Sequence, residues 1–291
     1  MVFSNKFYYF HLNRYEKKIY RKFERNKWRM KNGKARIEFS YAFSWLLKWR
    51  SGSDKINDYY AEATRAYLYD NPDVFYIDQN KMYINTLARH KGVRKRTKTY
   101  MDAGANGNYY VYGYKSRLQI SIIERKLRKI VRGLKRVTRG MSDYDKVKTV
   151  HDYLVNTCRY DIEFSNPNMF NIYGALIDGV CVCAGYARAL KYVLDAMGIK
   201  CICIIGRGGD ILERAEGHAW NYVKLDGQWY AIDVTWDDPV GDVDEIRYDY
   251  FLMGSKQITK DHLPSEAYDY PELAGDGRDK VCYKLWWSIY V

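Results

Sequence analysis

Three side chains of this 291-residue chain have the types and placement for nucleophilic acyl chemistry: Cys183, His218 and Asp233. The pairing of the last two follows from a hairpin register. Two alternating runs, His218 to Leu225 and Gln228 to Val234, flank Asp226-Gly227, a dipeptide that favours the two-residue turn between antiparallel strands. With that loop Leu225 opposes Gln228, Trp220 opposes Asp233 and His218 opposes Thr235. Side chains alternate across a strand, so His218, Trp220 and Asp233 share one face while Ala219, Asn221 and Ile232 share the other. Asp233 is then the diagonal neighbour of His218, roughly 7 to 8 Å away at the backbone, a gap that an imidazole and a carboxylate close with a hydrogen bond. Cys183 opens a predicted helix, where unpaired backbone N–H groups and the helix dipole favour the thiolate. In this arrangement Cys183 attacks an acyl group, His218 shuttles the proton, and Asp233 fixes the tautomer of the imidazole. The backbone N–H of Cys183 is the first candidate donor to the oxyanion; the Tyr160 hydroxyl and the ring nitrogen of Trp220 are both candidates for the second.

The elements that must hold these groups are legible in the periodicity. Residues 12–30 and 54–69 read as helices, the second opening at Ser53 or Asp54 and stopping before Asn71-Pro72. Three aromatic runs, Phe75-Tyr76-Ile77, Met82-Tyr83-Ile84 and Tyr109-Tyr110-Val111-Tyr112, predict strands of a small sheet, separated by the basic stretch 89–98 and a Gly-rich turn over 103–107. A helix over 116–138, with Ile120, Ile123, Leu127, Ile130 and Leu134 on one face and Gly140 past its end, bridges two halves. Ser142 is placed to cap a helix carrying Val147, Val150, Leu154 and Val155 that ends near Cys158. The helix beginning at Cys183 puts Tyr186, Leu190, Val193 and Met197 at core spacing and stops at Gly198; Ile199 to Ile205 reads as a buried strand. The chain therefore divides into an N-terminal helical and small-sheet extension, 1–140, and a second part, 141–291.

Composition narrows the possibilities. An apolar content of 47% supports a real core, and no run reaches the eighteen or more apolar residues that a membrane span needs. The first residues lack the basic start, apolar stretch and cleavage site of a secretory signal, so the expected location is the cytoplasm, or outside the cell if a leader has been trimmed. Six cysteines, at 158, 181, 183, 201, 203 and 282, are too sparse for a disulfide scaffold. Cys181, Cys183, Cys201 and Cys203 could offer four thiolates to zinc, but Cys201 and Cys203 alternate with isoleucines as a buried strand face does. No metal or other cofactor is expected, and Asp237-Asp238-Pro239 reads as a turn that ends a strand. Of the net charge of +13, most sits in residues 1–50, which hold 14 Lys and Arg against 3 Glu. Such a run could hold an anionic partner, nucleic acid or an anionic surface; it also fits the solvated face of an ordinary helix buried through Tyr15, Ile19 and Phe23.

The residues around the three reactive groups resemble the signature blocks of bacterial transglutaminase-like domains. The blocks are Gly179-Val180-Cys181-Val182-Cys183-Ala184-Gly185-Tyr186-Ala187, Gly217-His218-Ala219-Trp220-Asn221, and Trp229 through Asp233 to Pro239. Tyr160-Asp161, Asn171 to Leu176 and Tyr248 to Phe251 extend the likeness, which covers about 142–262. The resemblance implies that Cys183 rather than Cys181 is the nucleophile. It also implies an α+β fold with a papain-like transglutaminase core, in which the helix bearing the cysteine packs on an antiparallel sheet bearing the histidine and the aspartate. The activity expected is acyl transfer from a protein or peptide amide through a thioester, ending in proteolysis, deamidation or cross-linking. The alternative is a catalytically idle module that holds a peptide on the same fold.

Overall fold

The computed structural model describes residues 6–40, 43–49, 51–91, 94–103, 107–111, 113–238 and 246–278. Tyr112, residues 104–106 of the expected Gly-rich turn, residues 92–93 of the basic stretch, Pro239 and Cys282 lie outside them.

A short helix α1 (Phe7–His11) precedes α2 (Arg14–Met30). Asn13 starts α2 with a capping box, its side chain accepting from the N–H groups of Tyr15 and Glu16 while Glu16 accepts from the N–H of Asn13. The apolar side of α2, Ile19, Tyr20, Phe23 and Met30, is buried and meets Tyr60 and Tyr67 of α3 (Gly52–Asp70) edge-on. Some of the basic residues pair outward, Lys6 with Glu24, Lys27 with Asp73 and Lys31 with Glu124.

The small sheet departs from expectation. Its strands are β1 (Ile37–Ser40), β2 (Met82–Lys91) and β3 (Arg94–Ala103), antiparallel in the order β1-β3-β2. The basic stretch expected to separate strands is itself the tip of the β2–β3 hairpin, paired from Met82↔Ala103 to Lys91↔Arg94. A ladder is made of backbone groups, so a charged sequence forms it when the partner strand is adjacent. Phe75 to Ile77 contributes only an isolated bridge, Ile77↔Tyr110, and buries Phe75 and Tyr76 in the core instead.

Helix α4 (Arg117–Val137) is capped by Ser116, which accepts from the N–H of Gln119. Its buried face is Ile120, Ile123, Leu127, Val131 and Leu134; Val131 takes the place expected of Ile130 because it lies closer to the 3.6-residue period. Ser142 caps α5 (Asp143–Thr157), and β4 (Arg159–Tyr160) then pairs in parallel with β5 (Val180–Cys181). From β5 the chain turns into α6 (Cys183–Met197), which ends at Gly198 in the left-handed conformation, φ +86°. Four strands follow: β6 (Cys201–Gly208), β7 (Glu216–Leu225), β8 (Gln228–Ile232) and the short β9 (His262–Pro264). They form an antiparallel sheet in the order β8-β7-β6-β9. The β7–β8 register, Leu225↔Gln228 through Asn221↔Ile232, is the one the Asp226-Gly227 turn dictates. Both turn residues take positive φ, +50° and +85°, as a type I′ turn requires.

Helix α6 lies on the face of the sheet that presents Ala219 and Asn221. Ala187, Cys203 and Ala219 pack together, and Asn221 donates to the carbonyl of Ala187 at 2.9 Å. Lys191, buried on α6, pairs with Asp195 at 2.7 Å and donates to the carbonyl of Cys201 at 3.0 Å. The opposite face buries Ile202, Ile204, Trp220, Tyr222 and Ala231. This is an α+β arrangement consistent with a papain-like transglutaminase core, the helix that starts at Cys183 lying on an antiparallel sheet. One buried cluster runs from Tyr8 to Leu252, across position 140, and the Tyr8 hydroxyl donates to the carbonyl of Cys203 at 2.6 Å.

Gly185, in the first turn of α6, has no room for a methyl group: an added Cβ would sit 2.5 Å from Cys181 Cβ and 2.6 Å from the carbonyl oxygen of Met169. Since one of these neighbours is backbone, relief requires moving the helix start. Gly185→Ala is expected to lose about 1–3 kcal/mol of stability, read as a lower urea midpoint at unchanged slope.

Candidate active site

The site is organised around a carboxylate with no access to water. Asp233, one residue past β8, is fully buried, and its oxygens are saturated with donors. Oδ1 accepts from the N–H groups of Thr235 and Trp236 at 2.9 and 3.4 Å. Oδ2 lies 2.5 Å from His218 Nε2 and 3.0 Å from His262 Nε2. Burial alone would raise the pKa of this carboxyl; the two imidazoles outweigh it and hold it well below the usual carboxylate range. Burial likewise opposes a charge on His218, but the Asp233 carboxylate and, after it, the Cys183 thiol raise its pKa to about 10.

His218 projects from β7 on the face predicted from the hairpin. Its ring is stacked at 5.9 Å on Trp220 and tilted against Trp236 at 5.4 Å. With Nε2 given to Asp233, Nδ1 is the nitrogen that this pair leaves unused, and the Cys183 thiol is near enough to the imidazole to favour its charged form. Cys183 is the first residue of α6 and half-buried beside Ala187 and Ala219. As the first helical residue it has no acceptor one turn earlier for its backbone N–H. The four thiols considered for zinc do not converge: Cys181 faces Cys158 at 3.4 Å, whereas Cys201 and Cys203 lie against the side-chain amide of Asn221. Burial pushes Cys203 up to about 12 and Cys201 well above its ordinary range, leaving both as protonated core residues. Among the described residues, the close group of donor atoms that could enclose a cation is His218, Asp233 and His262, within 4.8 Å of one another; their short contacts read as a carboxylate bonded to two imidazoles.

Of the two further donors named from the sequence, Tyr160 ends β4 half-buried. Burial, then the neighbouring Cys183, raises its hydroxyl, which therefore keeps its proton. Trp220 is buried, with its indole N–H unpartnered and its ring between His218 and His262.

Sequence reasoning missed His262. It sits on β9, a three-residue strand paired with the far edge of β6, where His262 opposes Gly208. Its Nδ1 is 2.6 Å from Asp261, which also accepts from the hydroxyl of Tyr250. A strand so short carries no periodicity, and only the adjacent carboxylate in Asp261-His262 hinted at an oriented imidazole. A second buried network supports the loop after Asp233. His151 on α5 spans Asp152 at 3.0 Å and Asp237 at 3.1 Å, and Asp237 donates its N–H to the carbonyl of Asp233. Asp237-Asp238, read as a plain turn, thus also anchors the loop, with Asp238 accepting from the Tyr186 hydroxyl. A cavity of about 810 Å³ lies elsewhere, between α2, α4 and the far end of α6, and is lined by charged residues that include the Lys27–Asp73 pair.

Because His218 binds its proton more tightly when folded, its pairing stabilises the protein fully below the ordinary imidazole range near 6.5 and is lost as pH rises towards about 10. The difference in urea midpoint between the wild type and His218→Gln is therefore expected to shrink steadily over that interval.

The buried His–Asp–His cluster and the thiols beside it, at one end of a curled antiparallel sheet, are consistent with a hydrolase or acyltransferase site. Residues 132–234 match the family model described as the transglutaminase-like superfamily. The kyphoscoliosis peptidases of Mus musculus and Homo sapiens are each 24% identical over 139 residues, 42% of this chain and 21% of theirs. The chain thus spans about a fifth of the length of these curated relatives. A crystal structure of a TGase is similar over 58% of this chain and 51% of its own, with 15% identity and a TM-score of 0.36. Residues 132–234, the stretch similar to the transglutaminase-like superfamily model, carry Cys183, His218 and Asp233.

Proposed function

We propose that the protein is a cysteine-dependent acyl-transfer enzyme acting on protein or peptide amides. The observation that carries this reading is the His218 imidazole, bonded to a buried carboxylate, with a half-buried cysteine at the start of a helix that packs on the same sheet. In the proposed reaction the Cys183 thiol first gives its proton to His218, forming the imidazolium that Asp233 stabilises, and the thiolate sulfur then bonds to the amide carbonyl carbon. The tetrahedral oxyanion is received by the backbone N–H of Cys183 and the protonated hydroxyl of Tyr160. His218 then gives the proton to the leaving amine as the C–N bond breaks, leaving a thioester that water or a second amine resolves. Trp220 and Trp236 form the aromatic wall that orients the ring. His262 is a positioning residue: by donating to the oxygen that His218 shares, it fixes the direction of the Asp233 carboxylate. Residues 141–291 form the catalytic part, and 1–140 an extension that shares its core.

A peptide substrate fits the surroundings. The segment after Tyr160 is pinned by the buried Asp161 carboxylate, which accepts from the N–H groups of Ser165 and Asn166 at 3.2 and 2.8 Å. It exposes Ile162 and Phe164 to solvent, Phe164 at φ +51°, a strained conformation for a bulky residue. Ile211, in the loop that leads into β7, is exposed as well. The name of the mammalian relatives favours hydrolysis over cross-linking.

Cys183→Ala is expected to keep the fold by circular dichroism and to lower peptide-amide turnover on the order of 10⁴-fold or more; retained turnover would end the proposal. Alkylation by iodoacetamide, mapped by peptide, should modify Cys183 faster than Cys181, Cys201 or Cys203. The rate should fall in His218→Ala, and fall by up to roughly 10²-fold in His262→Phe if the carboxylate loses its direction. Equal rates at all four thiols would point to an idle fold that only holds peptide.

A further inference from the structure

The outward face of α2 takes no part in the site, yet it carries a one-sided run of cations. Arg14, Lys18, Arg21, Arg25 and Arg29 follow one another at intervals of three or four residues and all are exposed. That spacing draws one stripe, about 22 Å long at 1.5 Å per residue. Carboxylates do not neutralise it. The three glutamates of the first fifty residues are engaged elsewhere: Glu16 in the helix cap, Glu24 with Lys6 and Glu38 with Lys98. Among the described residues Arg14, Lys18, Arg21, Lys22 and Arg25 have no carboxylate partner; Arg14 and Lys18 rest on the ring of Tyr15, and Arg21 on that of Tyr9. Two hollows open along the stripe. One, about 190 Å³, is lined by Lys18, Arg21, Lys22, Arg25, Phe39 and Phe43. The other, about 310 Å³, is lined by Arg14, Tyr15, Lys18, Trp45 and Leu46. Neither lining contains an acid.

Large aromatic side chains stand out of the surface around the stripe: Phe10 is 73% exposed, Trp28 62%, Trp45 57% and Trp49 63%. Exposure of several indoles beside unneutralised cations is costly in water. It suits a layered partner with phosphates at one depth and an apolar boundary just below, where indoles settle and Lys and Arg meet headgroups. We propose that this face docks on an anionic lipid bilayer, phosphate headgroups entering the basic hollows and the indoles seating at the headgroup boundary. The attachment is peripheral, since no helix among the described residues is long and apolar enough to cross a membrane. A single-stranded nucleic acid, the other polyanion that pairs cations with aromatics, needs open ring faces for its bases. Here the faces of Tyr9 and Tyr15 are taken, Tyr9 by Lys17 and Arg21, and Tyr15 by Arg14, Lys18 and the stacked ring of Tyr59. Trp45 and Trp49 meet edge-on at 68°, an angle that does not continue a base stack.

The test is flotation of the full chain with phosphatidylcholine vesicles, with and without phosphatidylglycerol, across a salt series, beside single-stranded RNA as a competitor. Binding is expected only to the anionic vesicles, falling as salt rises, with a blue shift of tryptophan fluorescence. Combining Arg14→Gln, Lys18→Gln, Arg21→Gln and Arg25→Gln should weaken binding by about fivefold per cation removed. Trp45→Ser with Trp49→Ser should reduce the blue shift while salt-sensitive binding persists. These are exposed positions, so both variants should keep the wild-type melting temperature. Equal binding to neutral vesicles, no loss in the four-site variant, or salt-sensitive binding to RNA without binding to vesicles would each overturn the proposal.

Discussion

A carboxylate sealed from water must be given as many hydrogen-bond donors as it has lone pairs, or it will take up a proton. Asp233 meets that requirement with two backbone N–H groups and two imidazoles, and much of the second half of the chain is arranged to supply them. The turn after β8 delivers the backbone donors. Strand β7 brings His218, and β9, paired with the far edge of β6, brings His262. The donors come from three separate stretches of backbone, so the carboxylate can stay charged only when the sheet is complete.

The thiol is located by a separate set of constraints. Helix α6 is fixed on the sheet by Asn221, which binds the carbonyl of Ala187, and by the buried Lys191, which binds Asp195 and the carbonyl of Cys201. Its start is fixed from below, where Gly185 lets the backbone approach Cys181 and Met169 more closely than a side chain would allow. The buried His151–Asp237 pair ties α5 to the loop that follows Asp233. The N-terminal half joins the same scaffold through Tyr8, whose hydroxyl reaches Cys203 beneath α6. A change well away from Cys183 can therefore alter its distance from His218 without touching either.

Much of this was legible in the residues. A two-residue Asp-Gly turn leaves one register open to its hairpin, so the shared face of His218 and Asp233 followed from counting. Ser116 and Ser142 as helix caps, and Gly198 as a stop, rest on local hydrogen bonding and sterics. Errors fell where partners are distant. The basic residues of β2 and β3 looked like a linker because charge obscured a backbone ladder, and Phe75 to Ile77 looked like a strand because aromatic residues serve a core equally well.

The sequence by itself determined the hairpin, the cysteine at its helix start and the local order of elements, since each is set by interactions within about ten residues. Only the tertiary structure decided that His262 shares the Asp233 oxygen, that Trp220 is buried while Tyr160 is half-buried, and that among the described residues Arg14, Lys18, Arg21, Lys22 and Arg25 of α2 have no carboxylate partner. Those outcomes depend on which side chains a folded surface leaves uncovered and on contacts closed by segments far apart in the chain, for which spacing along the sequence carries no signal.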